Sequence, residues 1–149
     1  MRLEALHRLP GHLIRRLNQI SGAIFTERAG GEDITSVQYA ALVAIASPPG
    51  ITASRLSALI AFDAATIGGV VDRLEEKGLV LRAPSGSDRR AKQLALTASG
   101  LAALQQLEAG VLEVQEAILQ PLTQTERLQF MALLEKLVHS RQGRETTQR

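Results

Sequence analysis

Apolar residues recur along this chain at helical spacing for most of its length, and the interruptions are short. Pro10 is a natural first helical position, and Leu13, Leu17, Ile20 and Ile24 form a stripe, which predicts a helix over Pro10–Arg28. "AGGED" (29–33) ends it. Thr35-Ser36-Val37-Gln38 reads as a capping box. The helix it opens, to about Ser47, is apolar on nearly every side and is expected to be buried. After the turn Pro48-Pro49-Gly50, Thr52 can cap a short helix carrying Leu56, Leu59 and Ile60. Asp63 caps the next, "AATIGGVVDRLEEKG", whose buried side is Ile67, Val70, Val71 and Leu74, with Gly78 placed as a left-handed C-cap.

The period then changes from helical to alternating. "LVLR" (Leu79–Arg82) and "QLALT" (Gln93–Thr97) read as the two strands of a hairpin whose loop is Ser-Gly rich. From Ser99 a long helix carries Leu101, Leu104, Leu107, Val111, Val114 and Ile118 on one side and stops before Pro121. Thr123-Gln124-Thr125-Glu126 is a second capping box, opening a last helix with Phe130, Leu134 and Leu137 as its stripe. The first seven residues are mixed in polarity, the tail from Gln142 is polar and expected to fray, and no internal repeat is visible.

Composition narrows the possibilities. With 149 residues, 45% of them hydrophobic and 21% charged, the chain can bury a core, as one domain or as two lobes sharing it. Aromatic residues are 3% and tryptophan is absent, so the core falls to Leu, Ile, Val and Ala, which favours helices. The absence of cysteine removes disulfides, thiolate chemistry and Cys-type zinc sites, and it fits a reducing cytoplasm. Arg2, Glu4, His7 and Arg8 interrupt any leader-like run, and Pro48-Pro49-Gly50 cuts the most apolar stretch, so a soluble cytoplasmic protein is expected. The net charge of +2 says little, but Arg82, Arg89, Arg90 and Lys92 stand against Asp88 alone within eleven residues.

Short helix, tight turn, second helix and two-stranded hairpin are the order of a winged helix-turn-helix, in which the second helix enters the major groove and the wing follows the backbone or a minor groove. Arg89, Arg90 and Lys92 on a flexible tip suit phosphates and the narrow groove, and Asp88 can hold one arginine in place while the other points outward. A solvated hairpin with ordinary surface charge is the competing reading for the wing alone.

Over nearly its whole length the chain resembles the MarR family of bacterial transcriptional regulators. The matching stretches are "ITSVQYAALVAIA", "LSALIAFDAATIGGVVDRLEEKGLVLR" and "SDRRAKQLALTASG"; in the last, Asp88, Arg90, Leu96, Thr97 and Gly100 fall at the family's spacing. The fold class the resemblance implies is mainly α with a small β-hairpin wing, a winged helix-turn-helix flanked by N- and C-terminal dimerisation helices. The DNA-binding lobe would span 34–98, and 1–33 with 99–149 would form the dimerisation lobe. It further implies an obligate homodimer with first and last helices interlocked, a roughly palindromic operator, and repression relieved by a small ligand, often an aromatic or phenolic acid. "PGHLIRRL", "TSVQYAAL" and "TIGGVVDRLE" look like members that control breakdown of aromatic acids.

One departure stands in the recognition helix, where many relatives carry a polar residue and an arginine and this chain has Gly68-Gly69. Each glycine costs a helix about 1 kcal/mol relative to alanine. The pair allows close approach either to DNA or to a neighbouring helix. Base reading then falls to Thr66, with Ala64, Ala65 and Gly69 able to lie against the groove and an alanine able to touch a thymine methyl. Arg73 can pair with Asp72, Glu76 or a phosphate, or read a base. Ser54, Arg55 and Ser57 are candidate backbone contacts, or a plain solvated face.

For an effector, Arg16 lies about 70° from the centre of the first helix's stripe, while Arg15 points almost opposite, as a surface charge. Arg16 can hold a carboxylate bidentately, with His12, one turn earlier, as a second donor. The competing reading is an ion pair within or between subunits. Tyr39, the only tyrosine, is a third candidate, or a core residue.

Two other classes remain. An enzyme is disfavoured: there is no G-x-S-x-G, P-loop or H-E-x-x-H, and His7, His12 and His139 have no metal spacing, so neither cofactor nor metal is expected. A winged helix that binds only other proteins would have no need of three cations at the wing tip.

Overall fold

The computed structural model describes residues 3–29, 34–47, 50–60, 62–84 and 92–145. Ten elements follow in order: α1 (Leu3–His7), α2 (Pro10–Arg28), α3 (Ser36–Ala46), β1 (Ile51–Thr52), α4 (Ala53–Leu59), α5 (Ala64–Glu76), β2 (Val80–Pro84), β3 (Lys92–Leu96), α6 (Ala98–Leu119) and α7 (Gln124–Glu145). The fold is mainly helical with a small antiparallel sheet, as the periodicity predicts. The chain divides into two compact units, Met1–Val114 and Gln115–Arg149.

The first unit is built around α3. Thr35 caps it as expected: its hydroxyl accepts from Gln38 N at 3.2 Å, and the Gln38 side chain accepts from Thr35 N at 3.1 Å. Ala41, Leu42 and Ile45 of α3 meet Leu56 of α4, and Ile67, Val71 and Leu74 of α5, in one buried cluster closed by Ile51, Val80 and Leu94. Full burial of an aliphatic side chain contributes about 1.5–3 kcal/mol, so this cluster is what holds the short helices in place. Thr52 and Asp63 cap α4 and α5 through bonds from Arg55 N and Thr66 N.

At the other end of α5, Gly78 takes φ 69. Leu79 N then reaches Leu74 O and Gly78 N reaches Glu75 O, both at 2.9 Å, closing the helix in a Schellman turn and sending the chain into β2.

The sheet has three strands in the order β1-β3-β2, all antiparallel. Its register pairs Val80 with Leu96 and Pro84 with Lys92 on one side, and Ile51 with Leu94 on the other. The hairpin lies within a residue or two of its predicted limits. Three features differ from expectation: α1 forms where no element is predicted, β1 adds a strand, and α7 continues past Gln142 to Glu145.

The start of α6 is clasped to the end of α5. Thr97 N donates to Leu79 O at 3.0 Å, Thr97 Oγ1 donates to Gly78 O at 2.7 Å and accepts from Gly100 N at 3.0 Å. Gly100 permits this seat, because a Cβ there would stand 2.0 Å from Leu79 O.

In the second unit, Thr123 and Glu126 form the predicted capping box at the start of α7. Arg127 fixes the corner before it, donating to Glu116 at 2.7 Å and to Leu122 O at 3.2 Å. The flanking helices keep large apolar side chains exposed in the single chain, although Leu17, Ile24, Phe130 and Leu134 of their predicted stripes are half-buried. On α2, Leu13, Ile14 and Ile20 are exposed and only Phe25 is buried; on α7, Leu128, Met131, Leu133, Leu137 and Val138 are exposed. Among the described residues no single helix is long and apolar enough to cross a membrane.

Candidate nucleic-acid interface

The buried side of α5 is Ile67, Val70, Val71 and Leu74, which leaves Ala64, Ala65, Thr66 and Gly69 facing outward from its first two turns. This is the face expected to read DNA. Nothing lies within 4 Å of the position a Cβ would take on either Gly68 or Gly69. Of the two readings of that pair, close packing against a neighbouring helix therefore has no support among the described residues.

Thr66 is more committed than its sequence position suggests. Its hydroxyl donates to Asp63 Oδ2 at 2.6 Å while its amide donates to Oδ1 at 2.8 Å. The Thr66 hydroxyl bond, followed by the amide bond, holds the Asp63 carboxyl below the usual range, so it stays ionised. With its proton engaged, the Thr66 oxygen is left to accept.

On α4, Ser54 and Arg55 are exposed, and Ser57 is half-buried with its hydroxyl turned back to Ser54 O at 2.9 Å. Arg73 is exposed, and among the described residues it pairs with neither Asp72 nor Glu76. Asp72 instead binds Arg82, which reaches across from β2: its Nη2 meets Asp72 at 2.5 Å and its Nη1 meets Glu75. Sequence reading counts Arg82 only as part of the basic stretch. The available signal is alternation, since Arg82 shares its side of β2 with buried Val80, two residues earlier. Lys92 stands exposed at the outer end of the ribbon, opposite Pro84. Asp88, Arg89 and Arg90 lie outside the described residues.

The proposed effector residues fall in two places. His12 and Arg16 line one open recess of about 370 Å³ with Leu13 and His7. His7 is missed by sequence reading, because the break after α1 folds it back onto His12, ring centroids 5.0 Å apart. Arg16 makes no ion pair among the described residues. Arg15 is exposed as expected but is more than a surface charge: its Nη2 lies 3.1 Å from His12 Nδ1. A guanidinium only donates, so Nδ1 accepts and the ring proton sits on Nε2. Desolvation, then the charges of Arg15, His7 and Arg16, lowers the His12 pKa below its ordinary 6.5 and keeps the ring neutral. Tyr39 does not line this recess; it packs against the core and against Phe25, with centroids 6.0 Å apart.

Comparison with known proteins agrees with this architecture. The family model described as MarR matches residues 34–92. The HTH-type transcriptional repressor NicR of Pseudomonas putida is 34% identical over 130 residues, covering 87% of this chain and 82% of that protein. The crystal structure of the PcaV transcriptional regulator from Streptomyces coelicolor with its natural ligand superposes with a TM-score of 0.82 at 31% identity, covering 90% of this chain and 94% of that one. A mutant of MarR from E. coli complexed with operator DNA also gives 0.82, at 28% identity, covering 92% and 99%. These relatives are transcriptional regulators, not enzymes.

Proposed function

Because the chain belongs to the MarR family of transcriptional regulators, we propose that it acts as a homodimeric repressor, released from a roughly palindromic operator by a small aromatic carboxylate. The observation that carries the DNA-reading part is the outward face of α5, exposed and made of small residues, with open space at Gly68 and Gly69 among the described residues. Ala64, Ala65, Thr66 and Gly69 lie against the groove. Arg89, Arg90 and Lys92 grip phosphates or the minor groove, with Asp88 orienting one of the arginines. Ser54, Arg55 and Arg73 add backbone contacts.

The bare apolar faces of α2 and α7 call for a partner, and a second copy supplies it. In this reading 34–98 forms the DNA-binding lobe, while 1–33 and 99–149 form the dimerisation lobe. The cationic recess takes the effector: Arg16 binds the carboxylate in a forked pair and His12 donates from Nε2, while Tyr39, packed against the core, takes no part in it. An effector releases DNA only to the extent that it prefers a dimer whose two α5 helices are wrongly spaced for half-sites about 34 Å apart.

The test is a salt titration of binding to a duplex recovered from a random-sequence pool by repeated selection on the protein. Each phosphate contact adds about 0.9 to the slope of log affinity against log salt, so a steep decline is expected and Arg90→Ala weakens binding severely. Failure to recover any duplex, or salt-insensitive binding, would favour a protein-binding winged helix instead. Arg16→Ala is expected to abolish calorimetric binding of benzoate-like acids; unchanged affinity removes Arg16 from the effector site.

A further inference from the structure

Ala65, Gly69 and Asp72, at spacings of four and three, share the outward face of α5 opposite its buried side, and Glu75 stands on the flank beside Asp72, so the outward row ends in one carboxylate with a second next to it. Asp72 lies three residues beyond Gly69, about 4.5 Å of helical rise. That is well inside the screening length of about 8–10 Å at ordinary salt. Left bare, these acids would repel the phosphates that flank the groove. Arg82 answers both at once, with one terminal nitrogen on Asp72 and the other on Glu75. Asp72 and Glu75 keep 60% and 41% of their side-chain surface exposed, and ion pairs that exposed contribute little to folding. What the pairs do connect is β2, the root of the wing, with the recognition helix.

We propose that Arg82 is a positioning residue for DNA reading, which masks the acidic end of the α5 row and locks the wing's root to that helix without itself touching the duplex. The inference rests on the reading of α5 and the wing as the DNA-binding surface. Only a planar fork spans two carboxylates three residues apart, so lysine is a poor substitute. Hydrogen bonding to Asp72 raises the Arg82 pKa further above its already high value, so the clamp stays charged at any working pH.

The experiment is a double-mutant cycle on the full chain, read by fluorescence anisotropy with the selected duplex. Arg82→Gln is expected to weaken binding about tenfold, within the range of coupled neighbours in one ion-pair network. Its salt slope should match the parent, whereas loss of a direct phosphate contact would lower it by about 0.9. In the Asp72→Asn/Glu75→Gln background, where the clamp has nothing to hold, Arg82→Gln should change affinity less than about twofold. An equal loss in both backgrounds, a reduced slope, or no loss in the parent overturns the proposal. Arg82→Lys provides the same cycle if the glutamine variant does not fold: a loss in the parent only supports the clamp, and equal losses refute it. Failure to recover any duplex for the parent protein would sink the DNA-binding reading itself, an outcome distinct from a flat cycle on a protein that binds.

Discussion

Replacing Gly68 and Gly69 by alanine should make the protein more stable and a worse DNA binder. In a helix interior each substitution gains about 0.8–1.0 kcal/mol of propensity. Neither new methyl meets another atom within 4 Å, so no overpacking opposes that gain. The pair together gives about 2 kcal/mol, which at this chain length raises Tm by about 4–8 °C. A methyl also extends the helix surface by about 1.5 Å, one carbon–carbon bond. If base edges or sugar-phosphate backbone seat against Gly69, that methyl must displace them at a cost of about 1–3 kcal/mol, or roughly 5- to 150-fold in affinity. Circular dichroism melting at matched concentration reads the first effect, and anisotropy with the selected duplex reads the second. A higher Tm with unchanged affinity would refute close approach of DNA. A lower Tm would show that the glycines serve a contact within the protein.

Three further outcomes are expected. Gly100→Ala forces the first turn of α6 off Leu79 and disturbs the Thr97 clasp, with a loss of about 2–3 kcal/mol and a Tm lower by roughly 4–12 °C; an unchanged Tm would mean that α6 is not seated there. The folded pKa of His12 lies below 6.5, so the native chain binds fewer protons than the unfolded one; this stability is present above about pH 6.5 and lost as pH falls through the lowered value. Urea midpoints measured from about pH 8 to pH 5 should therefore fall less steeply for His12→Asn than for the parent. A carboxylate effector reverses the local field, so its affinity should rise over the same descent in pH, and a flat profile would place His12 outside the effector site.

Much of this molecule could be read without coordinates because its elements are locally determined. Thr35, Thr52, Asp63 and Thr123 each cap the helix predicted to follow, and Gly78 turns the chain out of α5 as its position suggests. What escaped depends on distant partners. β1 is two residues long and exists only because β3 runs beside it, so no alternation could announce it. Arg82 finds its acids ten and seven positions earlier, across a turn. His7 reaches His12 through a corner that no periodicity encodes. The stripe on α2 was legible as apolar, but a pattern alone cannot tell whether its own chain covers it; here the helix buries only Phe25.

Asp63 has a consequence for where the protein can take hold of a polyanion. The first turn of a helix ordinarily offers bare amides and partial positive charge, a ready seat for phosphate. At the tip of α5 the aspartate occupies that seat, taking both the amide and the hydroxyl proton of Thr66. The tip turns lone pairs outward, so an arriving phosphate meets like charge. On the proposed reading, grip then comes from cations elsewhere, and the tip is left for the amino hydrogens that adenine and cytosine place in the major groove.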